Sequence, residues 1–212
     1  YTGAAVLAAT GALRGGGGLI TLFVPEGVHA RIAAKCPPEI IVRGIGNPRE
    51  VLEHRFDALV VGCGLGELDA ATEAGLLELI ANPAVPTVVD ADAIHAIVRS
   101  GNLEILTARH VLTPHPGEFS KLAPDLCGLP REEAARRFVD RHPATLLLKG
   151  CRTIVTRQGA PLWCNATGTP GMATGGQGDL LAGVIGARLA IGDAPLEAAA
   201  LAAWLCGQIG RA

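Results

Sequence analysis

Residues 171–179 read GMATGGQGD and stand directly ahead of a run patterned as a helix. Leu180, Leu181, Val184, Ile185 and Leu189 recur at spacings that make one apolar helix face. Gly175, Gly176 and Gly178 sit at its amino end, where bare N–H groups and the positive end of the helix dipole let a bulky anion approach. Asp179 adds a carboxylate at the same point, from which a loop built only for phosphate gains nothing. Two roles are open to it. It can cap the helix, or it can take a proton from a hydroxyl while the amides stabilise charge developing on a phosphoryl group.

Other chemistry-bearing residues follow predicted strands. His115 in TPHPGE is flanked by two prolines, which stiffen the loop and hold the imidazole in a defined direction, either solvated or in contact with a ligand. Glu118, three residues on, can favour the first turn of a following helix or orient a water on a magnesium ion. Lys149 and Gly150 end an apolar run; the lysine can cap strand carbonyls, reach solvent or contact a nucleotide. Gly62, Gly64 and Gly66 form G-C-G-L-G, a close-approach loop distinct from the dinucleotide fingerprint. Asp90 and Asp92 read as a strand terminus and helix N-cap.

The elements that must hold these loops alternate along the chain. LITLFVP (19–25), EIIVR (39–43), DALVV (57–61), PTVVD (86–90), HVLT (110–113) and TLLLK (145–149) read as strands. Helical patterns lie between them at YTGAAVLAATGAL, GVHARIAAK, ELDAATEAGLLELIA, ADAIHAIVR and REEAARRFVDR. Strands that are apolar on nearly every residue are buried on both faces, which predicts a mostly parallel sheet between two helix layers. TIVTR, a QG turn and PLWCN read as a hairpin near 153–165. Nothing breaks the rhythm into linkers, so residues 1–212 form one α/β domain. In such sheets ligands bind beyond the carboxyl ends of the strands, where these loops fall.

Composition narrows the partners. With 18 Lys and Arg against 20 Asp and Glu, and no basic stripe, nucleic acid is not the expected partner. No apolar run approaches the roughly 18 residues that span a bilayer. Six scattered cysteines without a C-x-x-C pair point to reduced thiols in a cytoplasmic protein.

Taken together, YTGAAVLAATGALRGGGGLITLFVPE, DALVVGCGLGE, VVDADAI, LTPHPGEFSKL, LLLKGCRTIV and GTPGMATGGQGDLLAGVIGARLA resemble the NAD(P)H-hydrate dehydratases (the YjeF C-terminal family) of the ribokinase-like superfamily. The resemblance runs in family order over essentially the whole chain. It implies a ribokinase-like three-layer fold. It also implies ADP- or ATP-dependent repair of hydrated NADH or NADPH (NADHX, NADPHX), in which the ring hydroxyl is phosphorylated and phosphate then eliminated. Asp179 would be the base acting on that hydroxyl. Ala4, Gly64, Gly66, His115 and Asp179 match substrate-binding positions. Lys149, Gly150, Cys151, Arg152 and Thr153, with Gly175, Gly176 and Gly178, match nucleotide-binding ones. Glu118 corresponds to a residue associated with Mg2+ through water.

The resemblance further implies a homo-oligomer and an epimerase partner on the same or a separate chain. It places a strand and a glycine–serine turn before Tyr1, so the domain is expected to lack its first strand. Gln177 stands where the family usually has Thr, and Cys63 where it usually has Pro. The alternatives are a hydroxyethylthiazole or hydroxymethylpyrimidine kinase, which would carry Asn in place of His115, and a catalytically silent nucleotide-binding protein.

Overall fold

Short runs of β-branched residues and leucine build two sheets, and glycine- or proline-marked loops separate them. The computed structural model describes residues 1–82 and 84–209. Strands β1 (Ile20–Pro25) and β2 (Ile40–Ile45) pair in parallel as a sheet of their own. A second sheet takes six strands in chain order: β3 (Leu59–Val61), β4 (Thr87–Val89), β5 (His110–Leu112), β6 (Thr145–Leu148), β7 (Ile154–Thr156) and β8 (Trp163–Cys164). Its first four strands are parallel; β7 and β8 return antiparallel as the expected hairpin. The predicted continuous sheet is thus divided, with β3 at one edge of the larger part.

Eight α-helices among the described residues complete the layers: α1 (Thr2–Arg14), α2 (His29–Ala33), α3 (Ala70–Ala81), α4 (Ala91–Ser100), α5 (Pro116–Leu122), α6 (Arg131–Arg141), α7 (Gln177–Ala190) and α8 (Pro195–Ile209). Alternation along the central strands divides the core in two. Val89, Leu112, Leu146 and Leu148 face α3–α6, whereas Val88, Val111 and Leu147 face α7 and α8. Both clusters are almost fully dry, as strands covered on both faces require. No helix among the described residues is long and apolar enough to cross a membrane.

One contact decides where the glycine loop sits. Helix α1 lies against α7, and the two meet through Gly11 and Gly183. A Cβ on Gly183 would come within 2.0 Å of the Ala8 carbonyl oxygen, and one on Gly11 within 2.4 Å of the Leu180 oxygen. Bare backbone at both positions lets the helices approach closely, which fixes the amino end of α7 over the strand ends.

Candidate active site

Asp179 lies in the first turn of α7, whose N-cap is Gly176 at φ 90° with no side-chain cap bond. The cap role open to Asp179 from sequence is therefore not the one it fills. No intrahelical acceptor exists for the first N–H groups of the helix, so they and the half-buried carboxylate present themselves together. Burial raises the Asp179 pKa above 3.8, and the charge of Asp90 adds to the rise. A hydrogen bond from Cys63 and the charge of Lys149 oppose it.

Asp90 is the residue that sequence reasoning undervalued. It occupies the N-cap position of α4 but makes no side-chain cap bond. Its carboxylate, 1% exposed, turns into the site instead. Oδ1 accepts from Thr113 Oγ1 at 2.7 Å and from Lys149 Nζ at 2.8 Å. Lys149 Nζ also stands 3.9 Å from Glu118 Oε2, so one ammonium serves two buried carboxylates. A dry carboxylate must be paired, and the only lysine at these strand ends supplies the pair.

His115 is the N-cap of α5, the helix whose first turn Glu118 was expected to favour; only its seven-residue extent went unread from sequence. Its Nδ1 accepts from the amides of Gly117 (3.0 Å) and Glu118 (3.2 Å), while Glu118 Oε2 accepts from the His115 amide at 2.8 Å. This reciprocal box leaves the neutral ring's proton on Nε2. Nε2 lies 3.5 Å from Glu118 Oε1, on a side chain more than half exposed. The imidazole thus has one nitrogen committed to the fold and one available to a ligand.

The loop after β3 closes another side. Gly62 adopts φ 115°, and a Cβ there would lie 1.7 Å from the Asp90 carbonyl oxygen, so only glycine fits. Gly64 packs against Ala4 and Tyr1 at the start of α1, and the Tyr1 backbone nitrogen donates to its carbonyl at 2.6 Å. The Gly66 amide donates to Asp92 Oδ2 at 2.8 Å, so Asp92 ties this loop down rather than capping α4.

Residues 149–153 form a turn. The Lys149 amide donates to the Pro114 carbonyl at 2.9 Å, joining it to the His115 loop, and Thr153 Oγ1 closes on the Gly150 carbonyl at 3.1 Å. Arg131, at the start of α6, was not a sequence candidate. Its guanidinium donates to the carbonyls of Cys151 (2.7 Å), Lys149 (3.2 Å) and Leu148 (3.3 Å), while its buried Nε has no partner. A fork reaching back across that many residues leaves no periodic signal to read.

Asp179, His115, Glu118, Lys149, Gly64, Gly178 and Ala4 therefore converge on one end of the sheet. Gly66 joins them through Asp92. Gly175 lies exposed at the rim, as do the side chains of Cys151 and Arg152. A cavity of about 420 Å³ lies elsewhere, between the 52–57 and 84–85 segments that precede β3 and β4. It sits at the amino ends of those strands, away from this cluster.

Comparison with known proteins shows the family to which the chain belongs. A family model described as NAD(P)H-hydrate dehydratase matches residues 1–212. The bifunctional NAD(P)H-hydrate repair enzyme Nnr of Gloeobacter violaceus is 41% identical over 96% of the chain, and that of Moorella thermoacetica 39% over 99%. The chain spans 41% and 42% of the lengths of those two relatives. Among solved structures, the Bacillus subtilis ADP/ATP-dependent NAD(P)H-hydrate dehydratase, co-crystallised with ATP and Mg2+, superposes with a TM-score of 0.78 at 28% identity. The match covers 98% of this chain and 74% of that one. A ribokinase-like superfamily protein of Enterococcus faecalis gives 0.82 at 29% identity, covering 99% of this chain and 74% of its own. The chain belongs to the NAD(P)H-hydrate dehydratase family.

Proposed function

We propose that the chain dehydrates hydrated NADH or NADPH in a reaction coupled to ADP or ATP. The observation that carries this reading is the Asp179 carboxylate, which no cap bond engages, beside the free amides at the start of α7. In the first step the ionised Asp179 takes the proton of the ring hydroxyl as that oxygen attacks the terminal phosphoryl group. The amides of the glycine loop offset the charge on the transferring group, and the shortened nucleotide leaves. In the second step the ring loses a proton from the adjacent carbon and the phosphate departs with the C–O bonding pair. The restored double bond yields the reduced cofactor, a nucleotide one phosphate shorter, inorganic phosphate and a proton.

The nucleotide would lie over Lys149, Gly150, Cys151, Arg152 and Thr153, with its phosphates toward Gly175, Gly176 and Gly178. The hydrated nicotinamide would lie between Ala4, Gly64, Gly66, His115 Nε2 and Asp179. Lys149 stands 3.3 Å from where a Gly178 Cβ would be, which brings its charge to the phosphate end. Mg2+ fits the donor set: Glu118 Oε1 is not used in the α5 box, and an oxygen-only contact through water suits a hard ion. Magnesium would neutralise phosphate charge there.

For the fold, we propose that an extended segment N-terminal to Tyr1 runs between β3 and the β1–β2 pair. Its support is the edge of β3, which pairs with no strand on that side among the described residues. An epimerase on the same or a separate chain would supply the reactive epimer, and the working form is a homo-oligomer.

The test mixes the protein with acid-hydrated NADH, Mg2+ and either ADP or ATP. Recovery of reduced-nicotinamide absorbance is the expected result. Absence of recovery, with phosphorylation of a hydroxymethylpyrimidine or thiazole alcohol instead, would overturn the reading.

A further inference from the structure

Three metal-ligating side chains from three elements converge beside the base: Cys63 after β3, Asp90 after β4 and Asp179 in α7. One donor atom of each lies within 4.8 Å of the others. We propose that this trio is a site for a thiophilic divalent cation of the zinc class, and that filling it blocks the enzyme by occupying Asp179. Binding rests on the geometry alone; the inhibitory consequence rests on the function proposed above.

The donors are already arranged. Asp90 commits Oδ1 to Thr113 and Lys149, which leaves Oδ2 facing the Cys63 sulfur at 3.8 Å. The thiol is buried, and its only polar partners among the described residues are the two carboxylates. Glycines at φ 115° and 76° on either side hold Cys63 in place. A tetrahedral ion bound at ~2.3 Å to sulfur and ~2.0 Å to oxygen needs donors roughly 3.5 Å apart, so the trio closes by about an ångström.

Chemistry selects the ion. A thiolate with two carboxylates suits zinc, cobalt or cadmium, while magnesium prefers oxygen alone in octahedral geometry. The incoming cation replaces the thiol proton, which passes to solvent as the sulfur–metal bond forms. No electron transfer is involved. The two carboxylates crowd negative charge against the Cys63 sulfur here. A dication relieves that crowding. Lys149 contacts the far oxygen of Asp90 and so stays outside the coordination sphere.

Cobalt serves as the spectroscopic probe. Metal-free protein without nucleotide, in excess Mg2+, should bind Co2+ with a near-ultraviolet thiolate-to-cobalt charge-transfer band. Cys63→Ser should remove that band although the other five cysteines remain. A band unchanged in Cys63→Ser, or none in the wild type, overturns the site. In the second arm Zn2+ is added to the dehydration assay, each protein being compared with its own zinc-free rate. Wild-type turnover should fall by about tenfold or more as the base is sequestered, and a chelator should restore it. Cys63→Ser should resist. Equal inhibition of both proteins would assign the effect to displaced magnesium and overturn the regulatory claim. If no dehydration occurs even without zinc, the functional reading has failed, and the cobalt band still decides the site.

Discussion

Lys149 Nζ lies 2.8 Å from Asp90 Oδ1, and this ammonium, rather than the start of α4, is what the Asp90 carboxylate serves. The pair joins the end of β4 to the end of β6 across β5, so it fixes the spacing of the strand ends that carry the site. Asp90→Asn should lower stability by about 1–3 kcal/mol. That is less than for a sealed ion pair, because Lys149 keeps Glu118 nearby and is 20% exposed. Urea denaturation measures it, and an unchanged midpoint would show the pair to be incidental.

Asp179→Asn separates chemistry from folding. Without a base, turnover should fall roughly 10²–10⁴-fold. Nucleotide binding, followed by calorimetry, should persist. Folding should not suffer, since the native carboxylate caps nothing. A variant with near-normal turnover would remove Asp179 from the mechanism.

The same carboxylate sets a pH dependence of definite sign. Its folded pKa is raised above 3.8 by burial and then by Asp90, so ionisation disfavours the folded state. Wild type and Asp179→Asn should melt alike in acid. As pH rises from 3.8 through the raised value the wild type should fall behind, and the gap should persist above it. The acid limb of turnover should follow the raised value. Asp90→Asn should move that limb to lower pH, because the charge of Asp90 contributes to the rise. Melting curves and rate profiles across this interval provide the check.

Arg131→Lys should weaken nucleotide use. One ammonium cannot replace a fork that holds the carbonyls of Leu148, Lys149 and Cys151 together. The KM for ADP or ATP should rise by about tenfold with kcat less affected, since the change loosens ground-state binding. Equal losses in kcat and kcat/KM would contradict that assignment.

His115→Asn tests the two nitrogens separately. Asparagine is a preferred N-cap, so α5 should survive, whereas the Nε2 donor is lost. The expected outcome is a normal melting temperature and a raised KM for the hydrated cofactor. A cooperative loss of folding would mean that His115 acts mainly through its cap.

What the sequence conveyed about this molecule follows the range of the forces involved. Strands such as HVLT and TLLLK are buried on both faces, and that leaves a local mark in every residue. The glycine loop before α7 was equally plain, since glycines bunched ahead of an apolar helix face are a local pattern. Asp90 was not, because an aspartate between a strand and a helix looks like a cap. Only the position of Lys149, 59 residues on, shows otherwise. Arg131 was hidden for the same reason, and the bounds of α5, though not its start near Glu118, because seven residues carry too little period to register.

The packing of α1 on α7 gives the order of assembly a meaning for chemistry. Residues 2–14 receive residues 177–190, so Asp179 comes into position only once α7 has docked on α1. A nascent chain that has just passed β6 carries Asp90 and Lys149 but not yet Asp179. Loosening of α1 or α7 would likewise move Asp179 away from Asp90 and Lys149, which follow strands of the central sheet. On the proposed mechanism, competence to react thus reports the docking of α1 on α7.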